Sequence, residues 1–459
     1  MARLPLEGVR VVSITPVWAG PFAEMLLCDW GAEVIRVESL QYCPLGTRGP
    51  GPRHPSFAVE AVTGHYSAYL KEGYDEVNGR PWNRSCMFNQ HGRNKLSCTM
   101  DMRRSTGREM FRRLIKVSDI FLENNMPHVT ESLDLEFDVL KEWNPKIVML
   151  SMPAFGRSGP KKYHRTIGPQ VDSYTGGTYV RGYRDRDISS NSVVFHADEA
   201  AGMTAAFIMI MALHQRNRTG KGMFIDMAQV ETAIPQFGEI ILDYTMNGRI
   251  QGTLGNRDPY GAVQGVYRCL GDDKWVSITI RTDDEWKAFC RVIGNLEWTN
   301  DEKYSDALSR WHNHDELDKH IETWTSNYEN FDVMFKLQRA GVAAGPVEHP
   351  DDAFEDPQMK FRGFFQEVTH PECGTHVYPG IAWKMHNTPN RIRRAAPRLG
   401  EDNEYVYKKV IGVTDEEYAE LENELHIGMD FVPDLEIAKY KPIYSIETRS
   451  EECISVEEV

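Results

Sequence analysis

Residues 9–38, VRVVSITPVWAGPFAEMLLCDWGAEVIRVE, decide the fold. Val9 to Ile14 is mostly apolar with no alternation, as in a strand buried on both faces of a parallel sheet. Pro21 to Trp30 places Phe22, Met25, Leu26 and Trp30 at helical spacing, Gly31 closes that helix, and Ala32 to Val37 gives a second strand. Such a β-α-β crossover builds open α/β sheets, whose ligands sit at the carboxyl ends of the strands.

The pattern continues along the chain. Strands are expected at Leu96 to Met100, Ile120 to Glu123, Ile147 to Met152 and Met223 to Met227. Helices are expected at Ser105 to Val117, at Asp138 to Trp143, and from Asp198 through the apolar run to Leu213, stopping near Thr219-Gly220. The last of these has few polar positions and reads as largely buried. Residues 43–84 are an irregular excursion, with one short helix expected around Ala58 to Leu70. From about 230 to 345 a smaller α+β unit is expected. It has a loop at Gly255 to Gly261, a hairpin of Gly265 to Leu270 and Trp275 to Ile280, and helices at Asp284 to Val292 and Leu317 to Ser326. Gly345-Pro346 marks the return, and after Gly428 comes an acidic tail without period. The expected organisation is a large domain over 1–228, a small domain over 229–345, a return segment over 346–430 and a tail over 431–459. The fold class is α/β, a large domain with a Rossmann-like doubly wound sheet plus a smaller α+β domain.

Charge narrows the function. Fifty-two Lys and Arg against 67 Asp and Glu give −15, which disfavours a continuous basic face for nucleic acid. Eight cysteines form no C-x-x-C pair, as expected of a reducing compartment, and Cys and His together show no metal-ligand spacing. The run Ala205 to Leu213 is too short to span a bilayer, and no signal-peptide core is present, so a cytoplasmic enzyme with no membrane partner is expected.

The loop Thr15 to Pro21 lies where a doubly wound fold holds a nucleotide phosphate. Glu38 even mimics a ribose-binding acid. The G-x-G-x-x-G of a dinucleotide site is absent, however, with Gly20 alone in the turn, so NAD is disfavoured. Asp198 starts an apolar helix, at the N-cap or first turn, and from position alone a helix cap is the commoner role.

An ordered series of motifs resembles the class III CoA-transferases, the CaiB/BaiF family. It comprises Leu6 to Val12, Ala19-Gly20-Pro21, Gly31 to Glu38, Arg93-Asn94-Lys95, Glu123-Asn124, Asn144-Pro145, Gly156 to Pro160, Thr219 to Gly222, Asp258 to Cys269 and Ala396 to Glu401. The resemblance implies an interlocked dimer and a catalytic Asp shortly before a Gly-containing apolar helix, here Asp198. It implies a nucleophilic carboxylate that passes through a mixed anhydride and an aspartyl-CoA thioester. No metal or resident cofactor is implied, coenzyme A being substrate. Carried over residue by residue, the CoA-binding positions are Trp18, Ala19, Arg36, Arg93, Lys95 and Asn124. Ser39 and Asn125 depart from the family pattern, as does Trp18, which stands where the formyl-CoA member has Gln. Arg257 and Tyr260 in the 255–261 loop are candidate acceptor contacts, with succinyl-CoA a candidate donor.

Two alternatives share the resemblance. An α-methylacyl-CoA racemase needs a His about 30 residues before the Asp, where this chain has Gly168, with His164 displaced. A heteromer with a related subunit is the other, in place of a homodimer.

Overall fold

The computed structural model describes residues 3–42, 47–48, 80–192 and 194–432. The helix expected around Ala58 to Leu70 lies outside these. The described residues fall into two compact units, one drawn from Met1–Gly176, Val193–Glu239 and Phe364–Val459, the other from Gly177–Ser192 and Ile240–Gly363.

The first unit is built on six parallel strands, β1 (Arg10–Ser13), β2 (Glu33–Glu38), β3 (Leu96–Thr99), β4 (Ile120–Glu123), β5 (Val148–Ser151) and β6 (Met223–Asp226). Their spatial order is β3-β2-β1-β4-β5-β6, the doubly wound arrangement, with its switch point between β1 and β4. Among the described residues five helices carry or flank this sheet before the reactive region: α1 (Ala19–Asp29), α2 (Cys86–Gly92), α3 (Ser105–Lys116), α4 (Pro127–Ser132) and α5 (Phe137–Trp143). They are followed by α6 (Gly168–Tyr174), α7 (His196–Thr219) and α8 (Gln229–Ala233).

Period-two alternation sends neighbouring strand residues to opposite cores. Val11, Val34, Ile120 and Val148 join Ala23 and Leu27 of α1 and Ala201, Ala205 and Met209 of α7 on one face. Val12, Ile35, Phe121 and Met149 pack on Phe111 and Leu114 of α3 and Leu140 of α5 on the other. Each large side chain fully removed from water contributes roughly 2 kcal/mol. Double burial explains why the strands read as unbroken apolar runs.

Helix α7 departs from expectation. Ala201, Ala205 and Met209 are buried, but Met203, Phe207, Ile210 and Met211 are exposed along its other side. An apolar composition all round the helix concealed that this single chain covers only one face. Close packing of α1 against α7 needs Gly202, where a Cβ would stand 2.8 Å from both the Ala19 carbonyl oxygen and the Phe22 ring.

In the second unit β7 (Gln264–Arg268), β8 (Trp275–Thr279) and β9 (Ala343–Val347) form an antiparallel sheet. Helices α9 (Asp283–Val292), α10 (His314–Thr325) and α11 (Asn330–Arg339) close it around Phe289, Leu317, Ile321, Val333 and Leu337. Gly345-Pro346 is therefore no exit point. It lies inside β9, an edge strand, where a proline's missing N–H is tolerated.

Returning to the first unit, the chain adds a hairpin of β10 (Phe365–His370) and β11 (Gly374–Pro379), then α12 (Asp415–Asn423). The start of the acidic tail is docked rather than free. Phe431 and Val432 are buried with Leu40, Trp82 and Leu399, and Val432 N–H donates to the Leu40 carbonyl at 2.9 Å.

Candidate active site

At the carboxyl ends of β1 to β5 the first unit encloses a cavity of about 760 Å³. Its walls include Thr15 to Val17 after β1, Glu38 and Ser39 ending β2, Asp101 to Arg103 after β3 and Asn124 to Met126 after β4. Asp198 and Gln229 line it too, as does the loop from His164 to Gly168. The size suits a ligand of cofactor dimensions, and the place is the switch-point crevice.

Asp198 is the third residue of α7, in its first turn and three places past the position that would cap it. The cap is Phe195, whose side chain accepts no hydrogen bond. Instead, the Asp198 carboxylate takes the backbone N–H of Ala19, the first residue of α1. Ala19 belongs to the turn of helix that has no internal acceptor, so each group satisfies the other. The loop bends sharply to deliver it. Val17 sits at φ +60°, a conformation costing a β-branched residue about 1–3 kcal/mol, and its N–H donates to Thr47 Oγ1 at 3.2 Å.

Burial drives the Asp198 carboxyl up to about 7 from an ordinary 3.8, the nearby Asp172 and Glu199 carboxylates add to this, and the Ala19 N–H opposes it. The side chain is only 6% exposed, so little water reaches the charge. Opposite it stands Gly168. A Cβ there would lie 1.9 Å from Asp198 Oδ2, so no larger residue fits without moving the carboxylate. His164, four residues earlier, lines the same cavity with its ring edge-on to Phe155.

The expected CoA positions divide. Arg36 and Asn124 line the cavity, and Ala19 reaches Asp198 as described. Trp18 instead stacks on Phe195 with ring centroids 4.5 Å apart and tilts against His91, so it backs the first turn of α7. Arg93 and Lys95 do not line the cavity, and each is held in a buried ion pair. Arg93 pairs with Asp29 at 2.7 Å and donates to the Pro379 carbonyl. Lys95 pairs with Glu24 at 2.6 Å, both side chains at 1% exposure or less, and donates to the Pro21 carbonyl. A buried ammonium and carboxylate must pair, since neither tolerates dehydration alone.

Glu38 is likewise committed. Burial would raise its carboxyl, but the Arg48 and Arg36 guanidiniums and the Ser97 hydroxyl hold it down at about 2. Arg48, an unforeseen residue, is 1% exposed, bonds Glu38 at 2.6 and 2.7 Å, and lies 4.0 Å over the Phe88 ring. The departures Ser39 and Asn125 both line the cavity; Asn125 Nδ2 donates to the Ile14 carbonyl at 2.8 Å, fixing β1 to β4. His196 meets the Phe237 ring, and Glu199 is exposed.

Arg257 and Tyr260 belong to the second unit. Arg257 is bound to Asp315 at 2.6 Å and Asp318 at 2.5 Å, so its charge is already neutralised. Tyr260 is 96% exposed on a turn closed by the Asp258–Gly261 bridge.

Among the described residues no His, Cys, Asp and Glu cluster could hold a metal, and no helix is long and apolar enough to cross a membrane.

Sheet order and cavity together define a Rossmann-type α/β protein with a buried carboxylate set into the wall of its switch-point site. The sequence profile of CoA-transferase family III matches residues 6–403, and the chain belongs to that family. It is 32% identical over 428 residues to a probable CoA-transferase of Mycobacterium tuberculosis, across 92% of this chain and 50% of that protein, and so spans half that relative's length. It is 27% identical over 419 residues to the succinyl-CoA–D-citramalate CoA-transferase of Chloroflexus aurantiacus, across 91% of this chain and 97% of that one. The crystal structure of a CaiB/BaiF family protein from Brucella suis superposes with a TM-score of 0.75 at 26% identity, covering 89% of this chain and all of that one.

Proposed function

We propose that the protein transfers coenzyme A from an acyl-CoA donor, succinyl-CoA foremost, to a carboxylic acid acceptor, with Asp198 as transient carrier. The observation that carries this is a carboxylate buried in the wall of the switch-point cavity, with one backbone N–H aimed at it. In the ionised form an Asp198 oxygen attacks the donor's thioester carbonyl. The C–S bond breaks, the electron pair leaves on sulfur, and a mixed anhydride remains. The CoA thiolate then attacks the aspartyl carbonyl, forming an aspartyl-CoA thioester and releasing the donor acid. The acceptor carboxylate repeats the two steps in reverse order, regenerating Asp198. No net proton moves, and the exchange of one thioester for another is nearly thermoneutral. Ala19 N–H, which faces the carboxylate at rest, is placed to meet oxyanion charge on the aspartyl carbonyl. Arg36 and Asn124 are the expected cavity-wall contacts for coenzyme A.

Gly168 argues against the racemase alternative. A proton shuttle needs a second base there, and the 1.9 Å approach leaves no room for one. The exposed stripe Met203, Phe207, Ile210 and Met211 supports a second subunit, of the same or a related chain, covering α7. We place the enzyme in the cytoplasm.

The test is Asp198→Asn and Asp198→Ala, assayed for transfer from succinyl-CoA to a panel of acids by thioester mass. Exchange disappears while coenzyme A still binds; exchange surviving in either variant refutes the carrier role.

A further inference from the structure

Asp172 has no part in the chemistry above, yet from helix α6 its carboxylate acts on Asp198 as a like charge and bonds the backbone just before it. It is 2% exposed, and its Oδ1 accepts the backbone N–H of Ala197 at 3.1 Å. Ala197 is the second residue of α7, so this N–H is one of the first-turn donors without an intrahelical acceptor. Phe195, in the cap position, offers no side-chain oxygen. Asp172 supplies the missing cap from 25 residues upstream. Four residues before it on the same helix, Gly168 stands so close to Asp198 Oδ2 that no Cβ fits between them. Helix α6 therefore touches the reactive segment twice, once at the carboxylate and once at the backbone just before it.

The charged and titratable groups around Asp198 are few. From α6 comes Asp172, and from its own helix Glu199, which is exposed, and His196. Helix α1 offers the Ala19 N–H, and its Glu24 is already paired with Lys95. Helix α8 presents neutral Gln229 to the cavity, with Glu231 exposed. His128, His164, Arg165 and Arg36 stand along the same cavity wall.

We propose that Asp172 is a positioning residue for CoA transfer. It clamps the first turn of α7 so that the Asp198 carboxylate stays against Ala19 N–H, and its own charge makes the resting Asp198 anion less stable and more nucleophilic. The inference rests on the reading of Asp198 as carrier. An anion crowded by a second one gains by handing its charge on, and that is what attack does: the new C–O bond forms, the C–S bond breaks, and the charge departs on the CoA sulfur. The two functions of Asp172 are separable. Asn keeps an oxygen for Ala197 N–H and removes the charge; Ala removes both.

The experiment follows exchange of labelled succinate into succinyl-CoA, from pH 5 to 9, in wild type, Asp172→Asn, Asp172→Ala and Asp198→Ala. In wild type, kcat/KM rises with pH as Asp198 ionises. Asp172→Asn lowers the midpoint of that rise by about one pH unit, because a like charge has gone. Asp172→Ala lowers kcat by roughly 100-fold at every pH with KM for succinyl-CoA little changed, the expected cost of a misplaced reacting group. A merely structural role moves thermal stability and leaves the midpoint where it was. Should Asp172→Asn not fold, Asp172→Ser retains an acceptor oxygen in a smaller volume and takes its place. A midpoint coincident with wild type in the charge-removed variant, with Asp172→Ala exchanging at the wild-type rate, overturns the proposal alone. Exchange persisting in Asp198→Ala overturns the carrier reading and this inference with it.

Discussion

Asp198→Asn should make the protein more stable as it destroys its activity, and by an amount that depends on pH. In the unfolded chain the carboxyl ionises near 3.8, in the folded protein near 7. Below pH 4 it is protonated in both states and contributes no penalty. As pH rises from 4 to 7 the unfolded chain gives up its proton while the folded protein holds on, so folded stability falls; above 7 the loss is complete. Three pH units at about 1.4 kcal/mol each put the loss at roughly 4 kcal/mol. Asparagine cannot ionise and escapes it. Its carbonyl still accepts from Ala19 N–H, while its new N–H groups lack an obvious acceptor and give back about 1 kcal/mol. The expected net gain is therefore about 3 kcal/mol at pH 8, turning into a net loss of about 1 kcal/mol at pH 4. For a unit of this size that corresponds to a rise in melting midpoint of roughly 6 °C at pH 8. Thermal melts of wild type and variant, taken in parallel at half-unit steps from pH 4.5 to 8.5, measure the difference directly. A difference that is flat with pH, or a variant less stable at pH 8, would refute the argument that burial and Asp172 strain the resting carboxylate.

Other outcomes follow from the same geometry. Gly168→Ala should lower transfer by about 100-fold with coenzyme A affinity retained, since the added methyl must displace Asp198 Oδ2; activity near wild type would show the carboxylate is not held there. Lys95→Met should cost about 3 kcal/mol in denaturant unfolding by leaving Glu24 with Arg36 at 4.0 Å as its remaining cation, beside the Thr15 hydroxyl. Unchanged stability with weakened coenzyme A binding would restore Lys95 as a ligand. Arg257→Ala should cost about 1 kcal/mol, through partly exposed pairs with Asp315 and Asp318, and leave acceptor KM unchanged. A selective rise in acceptor KM would instead make Arg257 an acceptor contact.

The sheet was legible because strands buried on both faces carry no competing pattern: β4 stands at Ile120–Glu123, where its apolar run lies. The hairpin β10–β11 was not foreseen, since Phe365–His370 mixes polar and apolar residues without clean alternation and its pairing is set by the partner strand. The fate of Arg93 and Lys95 was hidden for a different reason. Whether a cation binds ligand or carboxylate depends on its partners, and Asp29 and Glu24 lie 64 and 71 residues away on α1. A signal did exist: two acids on an otherwise apolar helix, PFAEMLLCDW, must be buried with cations. Asp172 gave no such sign, because its burial follows from the packing of α6 on α7, a contact between helices more than 20 residues apart. The exposed side of α7 was unreadable in principle, as an apolar helix looks the same whether its own chain or another covers it.

In the proposed mechanism coenzyme A travels on one side chain. Wild-type enzyme mixed with succinyl-CoA, quenched in acid, digested and weighed by mass spectrometry should show a CoA thioester on the peptide containing Asp198, converted to a hydroxamate when hydroxylamine is present. Succinate exchange proceeding at full rate with that peptide unmodified, or with the label on another residue, would contradict it.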